Sequence, residues 1–441
     1  MDQFPVVVVG AGPSGLAAAA QLLERGLRPM VLEAGPQAGA AVAQWHHVRL
    51  FSAWSELVDP AARRLLESTG RSVPETAGCP TGAEWASEYL VPLADALGEH
   101  VRFGARVVGV ARRGRDRVVD AGRDSEPLTV HVVTADGEER IPARAVVDAS
   151  GTWGSPNPLG GDGLPAVGER AAADRIGYRV PDLGQESARY AGRRIAVAGS
   201  GHSALTALVA LAELAREYPG THITWVLRRG MVGSVFGGGE ADQLPARGAL
   251  GLRAKEAAKA GHVEVVTGFR TSSVHREPDG RLVLESQDGH RLAPVDEVVV
   301  LTGFRPDHSW LSEVRLDLDP VLGAPTKLAP LIDPNAHSCG TVYPHGADEL
   351  RQPEPGVYLV GMKSYGRAPT FLALTGYEQV RSVVAEIAGD HESAGRVELV
   401  LPETGVCGGS GVFDAPQEAA DGCCGAPALA DLTLSTSRVG P

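Results

Sequence analysis

Two short glycine-rich turns, 189 residues apart, carry the first chemistry visible in this chain of 441 residues. The first is GAGPSG at 10–15, entered by the apolar run Val6–Val9 and followed by LAAAAQLLERG. The second is GSGHSA at 199–204, entered by RRIAVA and followed by LTALVALAEL. A β-branched run, a G-x-G-x-x-G/A turn and an apolar-periodic helix are the parts of a dinucleotide-binding unit. Each position has a physical task. Gly10 and Gly199 allow the tight turn. Gly12 and Gly201 let the backbone approach a pyrophosphate. Gly15 and Ala204 let the helix lie close against its strand. Pro13 and Ser14 in the first copy, and Ser200, His202 and Ser203 in the second, surround a helix start whose N–H groups face an anion. His202 is placed either to touch phosphate or to cap the helix.

The charges beside the two turns differ. Glu33 lies 18 residues after Gly15, at the end of the next apolar run, PMVL. A carboxylate there accepts hydrogen bonds from ribose hydroxyls. In the second copy the run HITWVL ends instead on Arg228 and Arg229. An acid there would repel a 2′-phosphate, and a guanidinium pairs with it. The pattern predicts an NADPH site in the second copy. Its plain alternative is a pair of arginines decorating a strand end.

The elements that must position these residues repeat as well. Each copy closes through a hairpin signal, Asp136-Gly137 and then Asp288-Gly289, and a buried apolar run ending in a small residue and glycine: Ser150-Gly151 and Thr302-Gly303. The fold class expected is α/β: two Rossmann-like three-layer domains, each with a β-meander insertion, the second inserted in the first. The Gly/Pro-rich stretch at 151–163 marks the break. The expected divisions are 1–155 and 306–400 for the first domain, 156–305 for the second, and a Cys-containing tail at 401–441 with little regular structure.

Composition narrows the function. The net charge of −13 argues against gripping nucleic acid or anionic membrane by bulk charge. Residues 3–23 carry no charge, but Pro5, Gly10, Gly12, Pro13 and Gly15 would leave backbone groups unpaired in lipid. The start MDQFP carries no base, so no signal-peptide n-region is read there, and a cytoplasmic protein is expected. The five cysteines, at 79, 339, 407, 423 and 424, form no CxxC.

GAGPSG with Glu33, GSGHSA with Arg228, the closing turns DASGTWGSPNP and VLTGFRPD, and the late run GVYLVGM together resemble the two-dinucleotide-binding flavoproteins. That group includes flavin-containing monooxygenases and thioredoxin-reductase-like enzymes. The resemblance spans residues 5 to about 390. It implies FAD on the first turn, NADPH on the second, and hydride transfer from nicotinamide to flavin. It also implies that Trp45 and Arg49 run beside the FAD, as in the monooxygenases, and that Gly151, Gly361, Met362 and Gly303 line the cofactor crevices. Thr370 and Phe371 are expected to open the last helix, with its N-terminus toward the flavin pyrimidine. The chain departs from the group in three places. The monooxygenase signature FxGxxxHxxxW is absent, the reductase CxxC is absent, and Met362 stands where an Asp usually follows the glycine. A further likeness, to bacterial flavoproteins associated with arsenic resistance, rests on NxHSCGT at 335–341, SYGRAPTFL at 364–372 and PETGVC at 402–407.

Candidate catalytic residues are His47, as a proton shuttle or a histidine hydrogen-bonded in place; Arg367, as charge near the flavin; and Cys339, for which inert packing is the default. Cys407, Cys423 and Cys424, among glycines, are candidate ligands for a soft metalloid such as As(III), or an incidental tail. The reading is an FAD- and NADPH-dependent oxidoreductase, monooxygenase-like toward O2 and a small-molecule or metalloid substrate. A reductase working through the tail cysteines is the alternative, and a non-catalytic redox sensor the third. The oligomeric state is open, a homodimer included.

Overall fold

The computed structural model describes residues 3–230, 233–237, 239–242, 244–335, 345–369, 371–398 and 436–438. The chain forms two compact units: Met1–Ser155 with Phe304–Thr404, and Pro156–Gly303 with Gly405–Pro441. Among the described residues, the expected tail contributes the short strand Thr436–Arg438, beside Val263–Thr267.

In the first unit, β1 (Val6–Val9) leads through the glycine turn into helix α1 (Pro13–Glu24), then β2 (Pro29–Leu32) and β3 (Val101–Arg102). An antiparallel meander follows: β4 (Arg106–Arg112), β5 (Leu128–Thr134) and β6 (Gly137–Ala143), then β7 (Ala145–Asp148). After its excursion the chain returns with the strand Val357–Leu359 and the helix Ala373–Ala388. The parallel sheet runs in the order Val357–Leu359, β7, β1, β2, β3. The period-2 rule explains its two faces. Val6 and Val8 pack on the helix side with Leu16, Val380 and Val383, while Val7 and Val9 pack under the meander with Val110, Leu128 and Val130. A strand buried on both faces must be apolar throughout, which is why β1 reads VVVV.

The second unit repeats the plan. Its strands are β8 (Ile176–Gly177), β9 (Arg194–Ala198), β10 (His222–Val226), β11 (Val263–Thr267), β12 (Thr271–Arg276), β13 (Leu282–Ser286) and β14 (Glu297–Val300). Helix α2 (His202–Glu217) follows the second turn. The order in its parallel sheet is β11, β10, β9, β14, β8. The inserted layer is smaller than expected. It is a two-stranded hairpin, β12 with β13, extended by isolated bridges at Arg291 and Val295. After Asp288-Gly289 the chain carries Pro294, which has no N–H to give a third strand.

Candidate functional site

The three glycines of the first turn divide their tasks as the motif requires. Gly10 has φ +99°, and a Cβ on it would sit 2.9 Å from the Ala149 carbonyl oxygen. A Cβ on Gly15 would sit 1.9 Å from the Gly10 oxygen, so strand and helix touch there. A Cβ on Gly12 would meet no protein atom within 4 Å. Its bareness answers to nothing inside the protein and leaves space for a ligand. Gly12 is also the N-cap of α1; no side chain caps that helix and no acid lies in its first turn. The orphan N–H groups therefore open on the same space, at the carboxyl ends of β1 and β7, where open parallel sheets bind ligands.

Glu33 is fixed at this mouth. Its Oε2 accepts from the Ala11 N–H and its Oε1 from the Gly35 N–H, each at 2.7 Å. The carboxylate is thereby held beside the turn. Gly361 and Ser14 complete the crevice: Gly361 has φ +67°, and a Cβ there would lie 2.8 Å from Ser14 Oγ. The Gly361 N–H donates to Oε1 of the buried Gln379, whose Nε2 donates to Ser364 Oγ and meets His345 Nε2. Met362 is half-buried in the short turn Gly361–Tyr365. Gly151 takes φ +69° just past β7.

Sequence reasoning missed the group that fastens this crevice. Lys363 Nζ lies 2.7 Å from Asp148 Oδ2, donates to Ser150 Oγ at 3.1 Å, and sits 4.6 Å from the centroid of the Trp310 ring. Asp148 Oδ1 accepts from the N–H and hydroxyl of Ser150. Both charged side chains are completely buried. The pair joins the end of β7 to the turn after Val357–Leu359. One signal was available: an Asp closing the apolar run AVVD and a Lys after VGM. Nearby His308 is half-buried, and burial and then the Lys363 charge lower its pKa.

Other predicted residues fall differently. Trp45 packs against Gly82, with its ring 6.4 Å from that of Trp85. The Arg49 guanidinium donates to the Cys79 carbonyl and lies 3.6 Å from Glu84, so it braces that segment. Burial raises the pKa of the Cys79 thiol. The His46 and His47 rings meet edge to face at 5.4 Å. Arg367 is exposed, its backbone N–H bonded to Leu322. The last helix begins at Ala373, not at Phe371, which lies before it against Tyr365. Gly376 explains the offset: a Cβ there would be 3.0 Å from the Phe371 ring, so helix and preceding residue pack on each other. Its N-terminus carries no side-chain cap. Thr370, Cys339, Cys407, Cys423 and Cys424 lie outside the described residues.

The second turn has the same design with one change. Gly199 takes φ +132°, and a Cβ on it would be 2.2 Å from the Leu301 oxygen, while Gly201 again faces open space. Ala204 is fully buried. The Gly199 carbonyl accepts from Trp225 Nε1 at 2.8 Å. Gly201 caps α2 without a side chain, and His202 and Ser203 begin the helix, after Ser200 in the turn. Burial lowers the His202 pKa, and the Arg247 charge adds to that. Arg228 and Arg229 lie just beyond β10, and Arg228 Nη1 donates to the Gly161 carbonyl at 3.1 Å. Gly303 takes φ +95°, beside Asn157.

Two parallel sheets, each with an uncapped glycine turn at its crevice, define a two-dinucleotide-binding flavoprotein. Residues 4–323 match the model of the pyridine nucleotide-disulphide oxidoreductases, and the chain belongs to that family. FAD and NADP(H) are the cofactors that go with it. The chain is 26% identical over 317 residues to ferredoxin–NADP reductase 1 of Cupriavidus necator, covering 71% of this chain and 74% of that one. Its fold is shared with the bacillithiol disulfide reductase Bdr (YpdA) of Bacillus cereus (TM-score 0.64, 20% identity, 88% of this chain and 99% of that one). It is shared too with DfoA, the FAD-bound cadaverine monooxygenase of Erwinia amylovora (TM-score 0.63, 15% identity, 91% and 98%). Among the described residues no helix is long and apolar enough to cross a membrane.

Proposed function

We propose that the first unit holds FAD and the second NADPH, and that the protein is an NADPH oxidoreductase whose reduced flavin reacts with O2 and a small substrate in the manner of a monooxygenase. One observation carries the reading: two uncapped helix starts beside bare glycines, with a carboxylate at one and arginines at the other. FAD, when bound, supplies the capacity to accept a hydride from NADPH and to pass electrons to O2. The protein's part is binding and positioning. Glu33 receives the adenosine ribose hydroxyls; the N-terminus of α1 receives the pyrophosphate. The Lys363–Asp148 pair and Gln379 hold Gly361 and Met362 in place along the crevice. The uncapped start of Ala373–Ala388 favours negative charge, and Arg367, earlier in the same loop, is the candidate to add to it. His47 remains the candidate proton carrier. The absence of a CxxC from the sequence favours oxygen over a disulfide as acceptor.

The test has four parts. Flavin released by heat is expected to be FAD, and FMN would remove the role given to Glu33. Gly12→Val, whose Cβ would meet no protein atom within 4 Å, is expected to yield folded protein lacking flavin. Arg228→Ala is expected to lower kcat/KM for NADPH by about tenfold with little change for NADH, since a charge-assisted hydrogen bond is worth roughly 1.5–3 kcal/mol. Oxygen consumption then decides the acceptor: hydrogen peroxide equal to NADPH oxidised, whatever substrate is offered, sinks the monooxygenase half. The second reading, an NADPH reductase with a separate electron acceptor, is favoured by the likeness to the C. necator reductase along most of both chains. Turnover with an artificial one-electron acceptor far exceeding that with O2 would support it.

A further inference from the structure

The carboxyl ends of β10 and β11 lie side by side past their last ladder pair. Phe269 N–H donates to the Leu227 carbonyl at 3.0 Å, and Gly268 N–H to the Arg229 carbonyl at 2.8 Å. Arg270, which follows, is therefore held next to the Arg228-Arg229 pair by backbone hydrogen bonds. Gly161 closes the arrangement from a third segment. Its carbonyl accepts from Arg228 Nη1, and its N–H donates to the Thr271 carbonyl at 2.8 Å. A Cβ on Gly161 would fall 2.9 Å from both Cα and Cβ of Arg270. One bare glycine thus separates Arg228 from Arg270, and both arginines are exposed. The neighbouring carboxylate, Asp162, accepts from the Leu164 N–H within its own loop.

We propose that Arg270 is a specificity-determining residue for the coenzyme: it reaches from the end of β11 to the 2′-phosphate of NADPH, which Arg228 grips from the end of β10. This rests on the reading of the second unit as the NADPH site. The physical reason is geometric. The adenosine ribose of a dinucleotide lies at the end of the second strand of its unit, here β10. The strand outside β10 in this sheet is β11, so its end flanks that ribose. A phosphate dianion has three terminal oxygens, more than one guanidinium fork can satisfy. Two forks on adjoining strand ends supply donors from two directions. The Gly161 carbonyl takes one N–H of Arg228 and so fixes its guanidinium beside the end of β11. A side chain on Gly161 would press on Arg270 and displace it.

The experiment uses the full-length flavoprotein and reads the ratio of kcat/KM for NADPH to that for NADH. Arg270→Ala is expected to lower the ratio by about tenfold or more, Arg270→Lys to restore part of it, and Lys259→Ala, an equal loss of charge on an exposed helix end of the same unit, to leave it within twofold. Calorimetry with 2′,5′-ADP gives a readout independent of turnover: its affinity is expected to fall in parallel, while that of 5′-AMP does not. If Arg228→Ala abolishes the preference and Arg270→Ala leaves the ratio and the 2′,5′-ADP affinity unchanged, the proposal falls and the NADPH site stands. If Lys259→Ala acts as strongly as Arg270→Ala, the effect is general charge and the proposal also falls. A wild-type protein with no preference for NADPH and no affinity for 2′,5′-ADP overturns both readings together.

Discussion

The two dinucleotide crevices are built on one backbone plan and diverge in the side chains at their mouths. In the first, the third glycine of the turn has no room for a methyl, since its Cβ would lie 1.9 Å from the Gly10 oxygen. In the second, Ala204 occupies that position and is fully buried. The first mouth holds a carboxylate braced by two backbone amides; the second holds arginines, one tied to a carbonyl. The turn serves any pyrophosphate, because N–H groups and a helix start do not distinguish one dinucleotide from another. Selection is left to the charge at the strand end, two residues or so past the sheet.

The same contrast runs through the supports of the two units. Each has a glutamate clasped by two arginines. Glu354 in the first unit has both oxygens engaged, Oε1 by Arg112 and Oε2 by Arg123, and all three side chains are buried. Burial works to raise the Glu354 pKa, but the hydrogen bonds from Arg123 and Arg112 reverse it and leave it lowered. Glu297 in the second unit is clasped by Arg175 and Arg189, which stay 40% and 33% exposed. If burial governs the worth of such a clasp, the two glutamates must differ. Glu354→Gln is expected to destabilise the first unit by about 3–5 kcal/mol, because two arginines are left buried without their anion. Denaturant titration followed by flavin fluorescence measures it. A loss no larger than that of Glu297→Gln would break the comparison.

The next largest effect is one of pH and belongs to the first unit. Asp59 caps the helix Pro60–Ser68 and bonds the Gln21 amide, with its own N–H donating to the Tyr89 hydroxyl. Burial pushes its pKa up to about 6, above the ordinary 3.8, despite the opposing hydrogen bonds. Between those values the folded protein keeps a proton that the unfolded chain has released. Stability of the first unit is therefore expected to fall as pH rises from about 4 to 6, by up to about 3 kcal/mol, and to stay lower above that window. Asp59→Asn keeps the cap and is expected to flatten this slope in thermal melts. A slope unchanged in the variant would show that another group sets it.

Smaller again is the effect at the third position of the turns. Gly15→Ala is expected to cost about 1–3 kcal/mol, since the methyl meets a backbone oxygen and the helix must shift. Ala204→Gly removes a fully buried methyl, with a loss near 1 kcal/mol. A tolerant Gly15→Ala, keeping its FAD and its melting temperature, would erase the distinction between the two turns. The smallest expected change is Glu297→Gln, about 0.2–1 kcal/mol and reduced by salt: the Glu297 carboxylate is buried, but water reaches both of its arginines and hydrates them when the anion is lost. Denaturation of the second unit at low and high ionic strength reads it.

Much of this protein is local and could be read from the chain. A strand, a glycine turn and a helix are set by near neighbours: β-branched residues favour the strand, glycine alone takes φ of +99° or +132°, and Pro13 starts a helix without a donor to lose. The acid and the arginines stand at intervals counted from the turn, so the charge at each crevice mouth was legible as well. The turn at Asp288-Gly289 was legible, but the hairpin that forms is the one before it, β12 with β13, and past Gly289 the chain makes only isolated bridges. The start of the last helix was misread by two residues because propensity does not register the Phe371 ring against Gly376.

What the tertiary structure alone decided is which distant residues share a place. Arg112 and Glu354 are 242 positions apart, and Ser150 and Lys363 are 213 apart. No periodicity relates such residues; they meet because β7 lies between β1 and a strand that returns only after residues 156–303 of the second unit have been made. A buried lysine in a sequence looks like any solvated lysine until its aspartate is found, and Arg270 looks like surface charge until β11 is seen to run beside β10. The motifs of this chain are held by covalent proximity, while the fastening of its crevices depends on burial that exists only once the sheets have formed.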